Sequence, residues 1–250
     1  MKDAGFVEWI IFLVEKYWKL LLEGTLVTIE IAFWGTLAGY LIGFLMGFVK
    51  KIQINQEDKM VKKLFIRAIK LFTSVYVEIF RDTPIIVQAM VIYYGLISVE
   101  CRISPFMAAV LTVGLNTGAY MAETVRAGIM SIDKGQHEGA ISIGMSNAQT
   151  MFYIILPQAL RNILPEMSNQ FLMNLKATSV LNVIGIAELY MCAKTASGVY
   201  YKYFESYIIV AGIYFILCFV ANKLIGLMEH KLKGKDNYAL ETQYMNIDEV

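Results

Sequence analysis

Long apolar stretches alternate with short polar ones along this 250-residue chain. The apolar stretches occupy residues 24–49, 84–98, 105–130 and 207–228. A helix needs about 20 apolar residues to cross roughly 30 Å of hydrocarbon, and several of these stretches approach that length. A transmembrane strand would instead alternate apolar and polar residues over about 10 positions, which these stretches do not. The pattern therefore predicts an all-α integral membrane protein.

Residues 151–190 combine apolar stretches with interruptions that an ordinary membrane helix avoids. The interruptions are Pro157, Pro165, Asn169, Lys176 and Asn182. Non-helical backbone at membrane depth is tolerated only where it lines a cavity or is buried in protein. We therefore predict a broken helix here that faces a cavity, which brings the expected number of transmembrane helices to five.

The two ends of the chain differ from this apolar middle. In residues 1–23, apolar positions recur at three- and four-residue steps with charged residues between them, which predicts an amphipathic helix in the membrane interface. The alternative is that this segment is the start of the first span. Residues 229–250 are polar and are expected to form a cytoplasmic tail. Residues 24–228 would then form the membrane domain.

Lysines are concentrated in residues 50–63 and 231–235. Short loops that are rich in lysine and arginine remain on the cytoplasmic side of a membrane. Five spans place both segments inside, together with a polar loop at 131–150, and put the N-terminus outside and the C-terminus in the cytoplasm. Six spans would place the basic tail outside, so the lysine pattern favours five.

The composition excludes several classes of function. The net charge of +1 gives no electrostatic reason to expect nucleic acid binding. Three cysteines without a Cys-x-x-Cys pair, and only two histidines, argue against a metal site. The phosphate-binding pattern Gly-x-x-x-x-Gly-Lys-Ser/Thr is missing, as are metalloprotease and nucleophile-elbow patterns. We expect neither an enzyme nor an ATP-binding chain.

Four glycines of the first span recur every four residues, at Gly35, Gly39, Gly43 and Gly47. This spacing places them on one stripe of a helix. Small residues in a membrane helix let two backbones approach closely, so that dispersion forces replace the missing hydrophobic effect. The stripe predicts a packing face for another helix, either of this chain or of a partner subunit.

Polar residues of the 105–130 span share one helical face, at Asn116, Tyr120, Glu123 and Arg126. Such residues are energetically costly in a membrane and face a cavity or each other. They could bind the ammonium and carboxylate groups of a zwitterionic solute, together with Asn169 or Lys176 of the broken helix. The alternative is an internal Glu123–Arg126 ion pair, with Asn116 and Tyr120 forming helix–helix hydrogen bonds.

The polar loop and the apolar residues after it carry a spaced motif. Its members are Glu138, Gly139, Ala140, Gly144, Ile154, Leu156 and Pro157. A short helix is expected here, with Glu138 near its positively polarised start and Gly144 at its end. An exposed acidic residue on such a helix could bind a basic residue of a soluble partner. The alternative is an ordinary solvated loop that contains an acidic residue by chance.

This motif resembles the EAA loop of ABC-importer permeases. The resemblance extends over residues 20–225 and includes motifs of the polar amino acid uptake subfamily. These motifs lie at residues 80–88, 116–126, 156–161, 176–179 and 184–189. The chain therefore resembles the transmembrane subunits of type I ABC importers.

The resemblance implies the five-helix permease fold of these importers, with the loop at 133–150 as a cytoplasmic coupling helix. Separate ATPase subunits would dock there and use ATP and Mg²⁺, while this chain binds no cofactor. An extracytoplasmic binding protein would deliver a polar amino acid, and a second permease chain, identical or related, would complete the pathway in a bacterial cell membrane. Six residues are candidates for lining that pathway: Asn116, Tyr120, Glu123, Asn169, Lys176 and Ser179.

The chain departs from the family pattern at two positions. Gly139 stands where the family usually has alanine, which loosens the docking helix because glycine lowers helix stability by about 0.5–1 kcal/mol. Ala177 stands where many relatives have an acidic residue, which weakens the case for a cationic cargo. An ion-coupled secondary transporter that uses Glu123 is the main alternative, although the chain lacks the internal repeat typical of that class. A non-transporting membrane scaffold is the second alternative, and the broken polar helix argues against it.

Overall fold

The structure is a computed structural model. It describes residues 5–52 and 59–233, with side chains described up to residue 228, and helices account for nearly all of these residues. The helices within these ranges are α1 (Phe6–Lys51), α2 (Met60–Asp82), α3 (Ile85–Ser98), α4 (Pro105–Met130), α5 (Lys134–Ser142), α6 (Asn147–Gln149), α7 (Leu156–Ala177), α8 (Leu189–Tyr200) and α9 (Tyr203–Lys233). A π-helical turn (Thr150–Ile155) joins α6 to α7, and a 3-10 helix (Thr178–Ile184) follows α7. The all-α prediction is confirmed for the described residues.

Prolines and caps set several helix boundaries where the sequence predicts them. Thr83 has extended backbone angles (φ −114°, ψ 144°) between α2 and α3, because Pro84 disfavours a helical conformation in the residue before it. Ser104 caps α4 by accepting a hydrogen bond from the Met107 amide at 3.2 Å, and Pro105 occupies the first turn. The predicted bounds of 105–130 for this helix are therefore confirmed.

Helix α1 runs without a break through residues 23 and 24, so the N-terminal amphipathic segment and the first span form one helix. Its 46 residues correspond to about 69 Å at about 1.5 Å per residue, much longer than a hydrocarbon core of about 30 Å. The interfacial position of its first half stays a prediction. Three parts of the predicted segments lie outside the described residues. They are residues 1–4 of the N-terminal segment, residues 53–58 of the basic loop and the tail from residue 234.

The glycine stripe of α1 packs against α4 of the same chain. A Cβ atom built on any of these glycines would lie closer than 3.0 Å to a side chain of α4, a distance that real Cβ atoms do not adopt. The facing residues of α4 are Val113, Thr117, Met121 and Val125. The predicted packing face is confirmed, and its partner is an internal helix rather than a second subunit.

By length and composition, two helices of the described chain qualify as membrane spans: α1 and the Tyr203–Met228 part of α9. A third qualifies if the bent pair of Asn147–Ile184 and Leu189–Tyr200, at 54° to each other, is one span. Helix α4 is too polar to qualify, yet it is the most enclosed helix, and its Thr112 and Thr117 are fully buried. A helix surrounded by other helices does not need an apolar surface all round. The count of five spans stays a prediction.

The break in the fourth predicted span lies later than the sequence indicates. Pro157 directly follows the π-helical turn Thr150–Ile155, so the helical backbone changes its hydrogen-bonding pattern before this proline without ending there. Helix α7 continues through Pro165, Asn169 and Lys176 and ends at Ala177. The prediction that these three residues interrupt the helix is wrong. The backbone instead leaves the α-helix in the 3-10 segment that contains Asn182, and Gly185 then reverses it with φ 85°.

Candidate functional site

Helix α5 is a short helix with well-defined ends in the polar loop. Asp133 caps its start by accepting a hydrogen bond from the Gly135 amide at 2.7 Å. Gly144 has φ 88° and lets the chain reverse, so that its own N–H donates to Ile141 and the Met145 N–H donates to Ala140. A left-handed residue after the last turn favours glycine, because a Cβ atom is strained there. The predicted role of Gly144 as the helix end is confirmed.

The residues of the loop motif lie on different sides of α5. Glu138 lies exposed in the middle of the helix, so the prediction that it lies near the helix start is wrong, and Asp133 occupies that end instead. Ala140 is buried against the rest of the protein. Ile143, at 79% exposure, and Ile141 lie exposed just beyond Glu138. The exposed surface of α5 therefore carries the Glu138 carboxylate and part of Ile141, and the strongly exposed Ile143 follows directly after the helix.

Side-chain hydrogen bonds connect α5 and its flanking turn to α7. Gln158 donates to Gln136 at 3.3 Å, and Asn162 donates to Ser131 at 2.9 Å. Among the motif residues that follow the loop, Ile154 lies half-buried in the π-helical turn, while Leu156 (half-buried) and Pro157 (exposed) open α7. Between α5, the end of α4 and this turn lies a cavity of about 600 Å³. One hydrogen bond and one continuous stretch of backbone therefore join α5 to α7, and a second hydrogen bond joins α7 to the end of α4.

Replacing Gly139 by alanine is expected to stabilise α5. A Cβ atom on Gly139 would have no heavy atom within 4 Å, and the residue lies inside the helix. Alanine should therefore stabilise the helix by about 0.5–1 kcal/mol, which would slow local hydrogen exchange roughly two- to fivefold. Hydrogen exchange of the loop amides measures this. Unchanged exchange would show that the helix does not open at this residue.

Asn116 holds the junction between α2 and α3. It is buried, and its side-chain amide donates to the Phe80 carbonyl at 3.0 Å and to the Gln88 side chain at 3.1 Å. Gln88 in turn donates to the Phe80 and Thr83 carbonyls, both at 2.9 Å. Both donors of the Asn116 side-chain amide are therefore used within the chain, as the helix–helix alternative expects.

Glu123 is the centre of an ion-pair cluster. It accepts a hydrogen bond from Lys50 at 3.0 Å and another from the Arg126 Nε at 2.6 Å. The alternative of an internal Glu123–Arg126 pair is confirmed, and Lys50 at the end of α1 is a further partner that the sequence does not indicate. The cluster joins the ends of α1 and α4 on the side of the coupling loop.

The remaining pathway candidates are accessible but lie in two groups. Tyr120 is exposed, with its ring 5.6 Å from the Arg81 guanidinium. Asn169 and Lys176 are exposed on α7, and Lys176 and Ser179 line a cavity of about 640 Å³ between α7, α8 and α9. The lining of this cavity includes no residue of α4. The predicted pathway residues therefore do not form one pocket within a single copy of the chain.

Residues 60–234 match the family model described as "Binding-protein-dependent transport system inner membrane component". The chain belongs to this family. Members of it are transport subunits rather than enzymes, and the resemblance to ABC-importer permeases for amino acids is thus confirmed.

Relatives of this permease include glutamine transport permeases. It is 36% identical over 216 residues to the glutamine transport system permease protein GlnP of Escherichia coli K12, covering 86% of this chain and 93% of the relative. The putative glutamine transport system permease protein GlnP of Rickettsia felis is 34% identical over 224 residues, covering 88% and 97%.

Solved structures show the same fold. A crystal structure of an amino acid ABC transporter with histidines has a TM-score of 0.79 and 37% identity, covering 92% of this permease and 99% of that chain. The inward-facing methionine transporter MetNI has a TM-score of 0.71 and covers 87% and 98%, and at 19% identity it supports the fold alone.

A buried polar cluster at Asn174 is the main feature that sequence reasoning misses in this permease. The Asn174 amide donates to Thr36 of α1 at 2.7 Å and to Thr117 of α4 at 2.9 Å, and it accepts from Gln170 at 3.1 Å. Three helices are thereby joined near the middle of the bundle. The only sequence signal is the four-residue spacing of Gln170 and Asn174, on either side of three apolar residues.

Glu188 could serve as an external contact or as a local cap by sequence, and the structure decides for the cap. Its carboxylate is fully buried and accepts hydrogen bonds from the Tyr190 and Met191 amides at 2.7 and 2.9 Å. The Tyr214 hydroxyl donates a third bond at 3.0 Å. Glu188 therefore fastens the start of α8 to α9 and is not available to a partner.

Proposed function

We propose that this permease forms the membrane pathway through which an ATP-driven importer carries a polar amino acid into a bacterial cell. The amino acid class follows from the family and its relatives. The names of the GlnP relatives make glutamine the first substrate to test. The neutral Ala177 is consistent with an uncharged side chain in the cargo.

The observation that carries the proposal is the exposed outer side of α5. Glu138 offers a charge to a basic partner residue, and Ile141 and Ile143 offer apolar area that no other described part of the chain covers. Such a small patch with an aliphatic centre is typical of a docking contact. The hydrogen bond from Gln158 to Gln136 would then carry the movement of a docked ATPase to α7, and the bond from Asn162 to Ser131 would pass it on to the end of α4.

The other partners follow from the same arrangement. Two ATPase subunits, which bind ATP and Mg²⁺, would hold the α5 helices of two permease chains, and a binding protein would deliver the amino acid from outside. Tyr120 is exposed in the middle of α4, and the Arg81 guanidinium at the end of α2 lies 5.6 Å from its ring, so a charge at this level needs water or a second chain beside it. The N-terminus would lie outside and the C-terminus in the cytoplasm. ATP drives transport only if the outward and inward states bind the cargo with different affinity.

Reversing the charge of Glu138 tests the coupling role. Glu138→Lys should weaken ATPase association about tenfold or more, because a like-charge contact at an interface costs several kcal/mol. The measurements are co-purification of the ATPase and glutamine uptake by vesicles that contain the binding protein. Glu166→Lys, an exposed acid in α7, is the matched control and should leave both unchanged.

If Glu138→Lys assembles and transports like the wild type, α5 does not couple ATP hydrolysis to transport. Uptake that requires a proton gradient but no ATP would instead support the ion-coupled alternative. These two results separate a wrong coupling residue from a wrong energy source.

A further inference from the structure

The first half of α2 carries a stripe of basic residues. Lys59, Lys63, Arg67 and Lys70 follow each other at steps of four, four and three residues, which places them on one face of the helix. Between Lys59 and Val77 the sequence has no acidic residue. We call these four residues the α2 basic stripe. Its single sign favours a partner with clustered negative charge.

Large apolar side chains adjoin the stripe and are uncovered. Met60, Val61, Leu64 and Phe65 are 78%, 80%, 67% and 63% exposed. In the same segment only Ile66 is buried against the rest of the protein. A helix end in water would not keep four large apolar residues at this exposure, so we expect a second, apolar element in the partner.

The last two residues of the stripe, Arg67 and Lys70, lie level with the end of α1. The Thr73 hydroxyl contacts the Met46 sulfur at 3.4 Å, which brings the two antiparallel helices to one level. At about 1.5 Å per residue, Lys70 and Arg67 lie about 4.5 and 9 Å from Thr73, while Lys51 lies about 7.5 Å from Met46. Arg67 and Lys70 are thus at the level where α1 ends with its own lysines, while Lys63 and Lys59 lie about 15 and 21 Å from Thr73, beyond that level.

We propose that the first half of α2 binds anionic phospholipid headgroups of the cytoplasmic leaflet. Arg67 and Lys70 would contact the phosphates. The segment before them would follow the bilayer surface, so that Lys59 and Lys63 lie on the headgroups and the four exposed apolar residues enter the boundary between headgroups and acyl chains. Basic and apolar residues on one helix at the membrane surface are the combination that binds anionic bilayers. A protein partner would account for the charge, but not for basic and apolar faces placed where the helix leaves the bilayer.

This inference depends on the orientation given with the proposed function, in which the end of α1 is cytoplasmic. Its consequence is that anionic lipid holds the cytoplasmic end of α2. The other end of α2 is connected to α3 and α4 by the hydrogen bond between Asn116 and Gln88. The attraction should weaken as salt rises, because exposed charges are screened within about 10 Å at 0.1 M salt.

The test uses the complete permease–ATPase complex with Arg67→Gln and Lys70→Gln combined. The probe is phosphatidylglycerol, titrated in phosphatidylcholine micelles and counted on the complex by native mass spectrometry. Each basic residue near an anionic surface strengthens binding about fivefold, so the pair should weaken it about 25-fold. Arg102→Gln with Lys194→Gln is the matched control, since it removes one exposed arginine and one exposed lysine on the predicted outer side.

Equal phosphatidylglycerol binding by the double variant and the control would overturn the proposal. So would loss of the ATPase from the Arg67/Lys70 variant with lipid binding retained, because the stripe would then be a protein contact. Failure of the proposed function is a separate result: the wild-type permease itself would not co-purify with an ATPase.

Discussion

Replacing Gly43 by valine is expected to cause the largest loss of stability among single substitutions in this permease. A Cβ atom at this position would collide with Met121, and the Met121 carbonyl carbon and the Ala122 amide nitrogen would both lie at 3.1 Å. Backbone atoms cannot move aside as a flexible side chain can, so α1 and α4 would have to separate. We expect a loss of about 3 kcal/mol, the upper end of the usual overpacking range.

The measurement is thermal unfolding of the purified permease in detergent. Gly212→Val is the matched control, because Gly212 also lies in an apolar helix and a Cβ atom there meets nothing within 4 Å. The control should unfold close to the wild-type temperature, while Gly43→Val should unfold much earlier or fail to accumulate. Equal unfolding temperatures would show that the close contact of α1 and α4 does not hold the bundle together.

Asn174→Leu is the second substitution with a large expected effect. It keeps the approximate volume but removes the bonds to Thr36, Thr117 and Gln170. Hydrogen bonds between membrane helices contribute about 0.6 kcal/mol on average and at most about 1.7, so three of them predict a loss of about 2 kcal/mol. Thermal unfolding measures the loss, and Asn169→Leu, at an exposed position on the same helix, should change little.

A second variant separates the polar cluster from simple packing. Adding Thr36→Val and Thr117→Val to Asn174→Leu removes the hydroxyls that the first change leaves unpaired, and replacing all partners by apolar groups can be nearly neutral. The triple variant should therefore recover part of the lost stability. A triple variant less stable than Asn174→Leu would mean that the threonines stabilise the bundle independently of Asn174.

The helices and their ends are readable from the sequence because local rules set them. Pro84 and Pro105 set helix starts, and Gly144 ends α5 through a left-handed backbone that favours glycine. The glycine stripe of α1 likewise predicts a close helix contact from spacing alone. Such signals act over one or two turns of chain, so they need no knowledge of the fold.

The roles of the polar membrane residues could be decided only by the tertiary structure. Asn116 and Glu123 have the pattern expected of a solute site, and each is instead bonded to residues far along the chain: Asn116 to Phe80 and Glu123 to Lys50. Asn174 is bonded to Thr36, from which 138 residues separate it. A polar side chain in a membrane must find a partner, and its sequence pattern is the same whether the partner is a solute or another helix. The sequence therefore determined the all-α class, several helix ends and the family, while the fold decided where the fourth span breaks and which polar groups remain available to a solute.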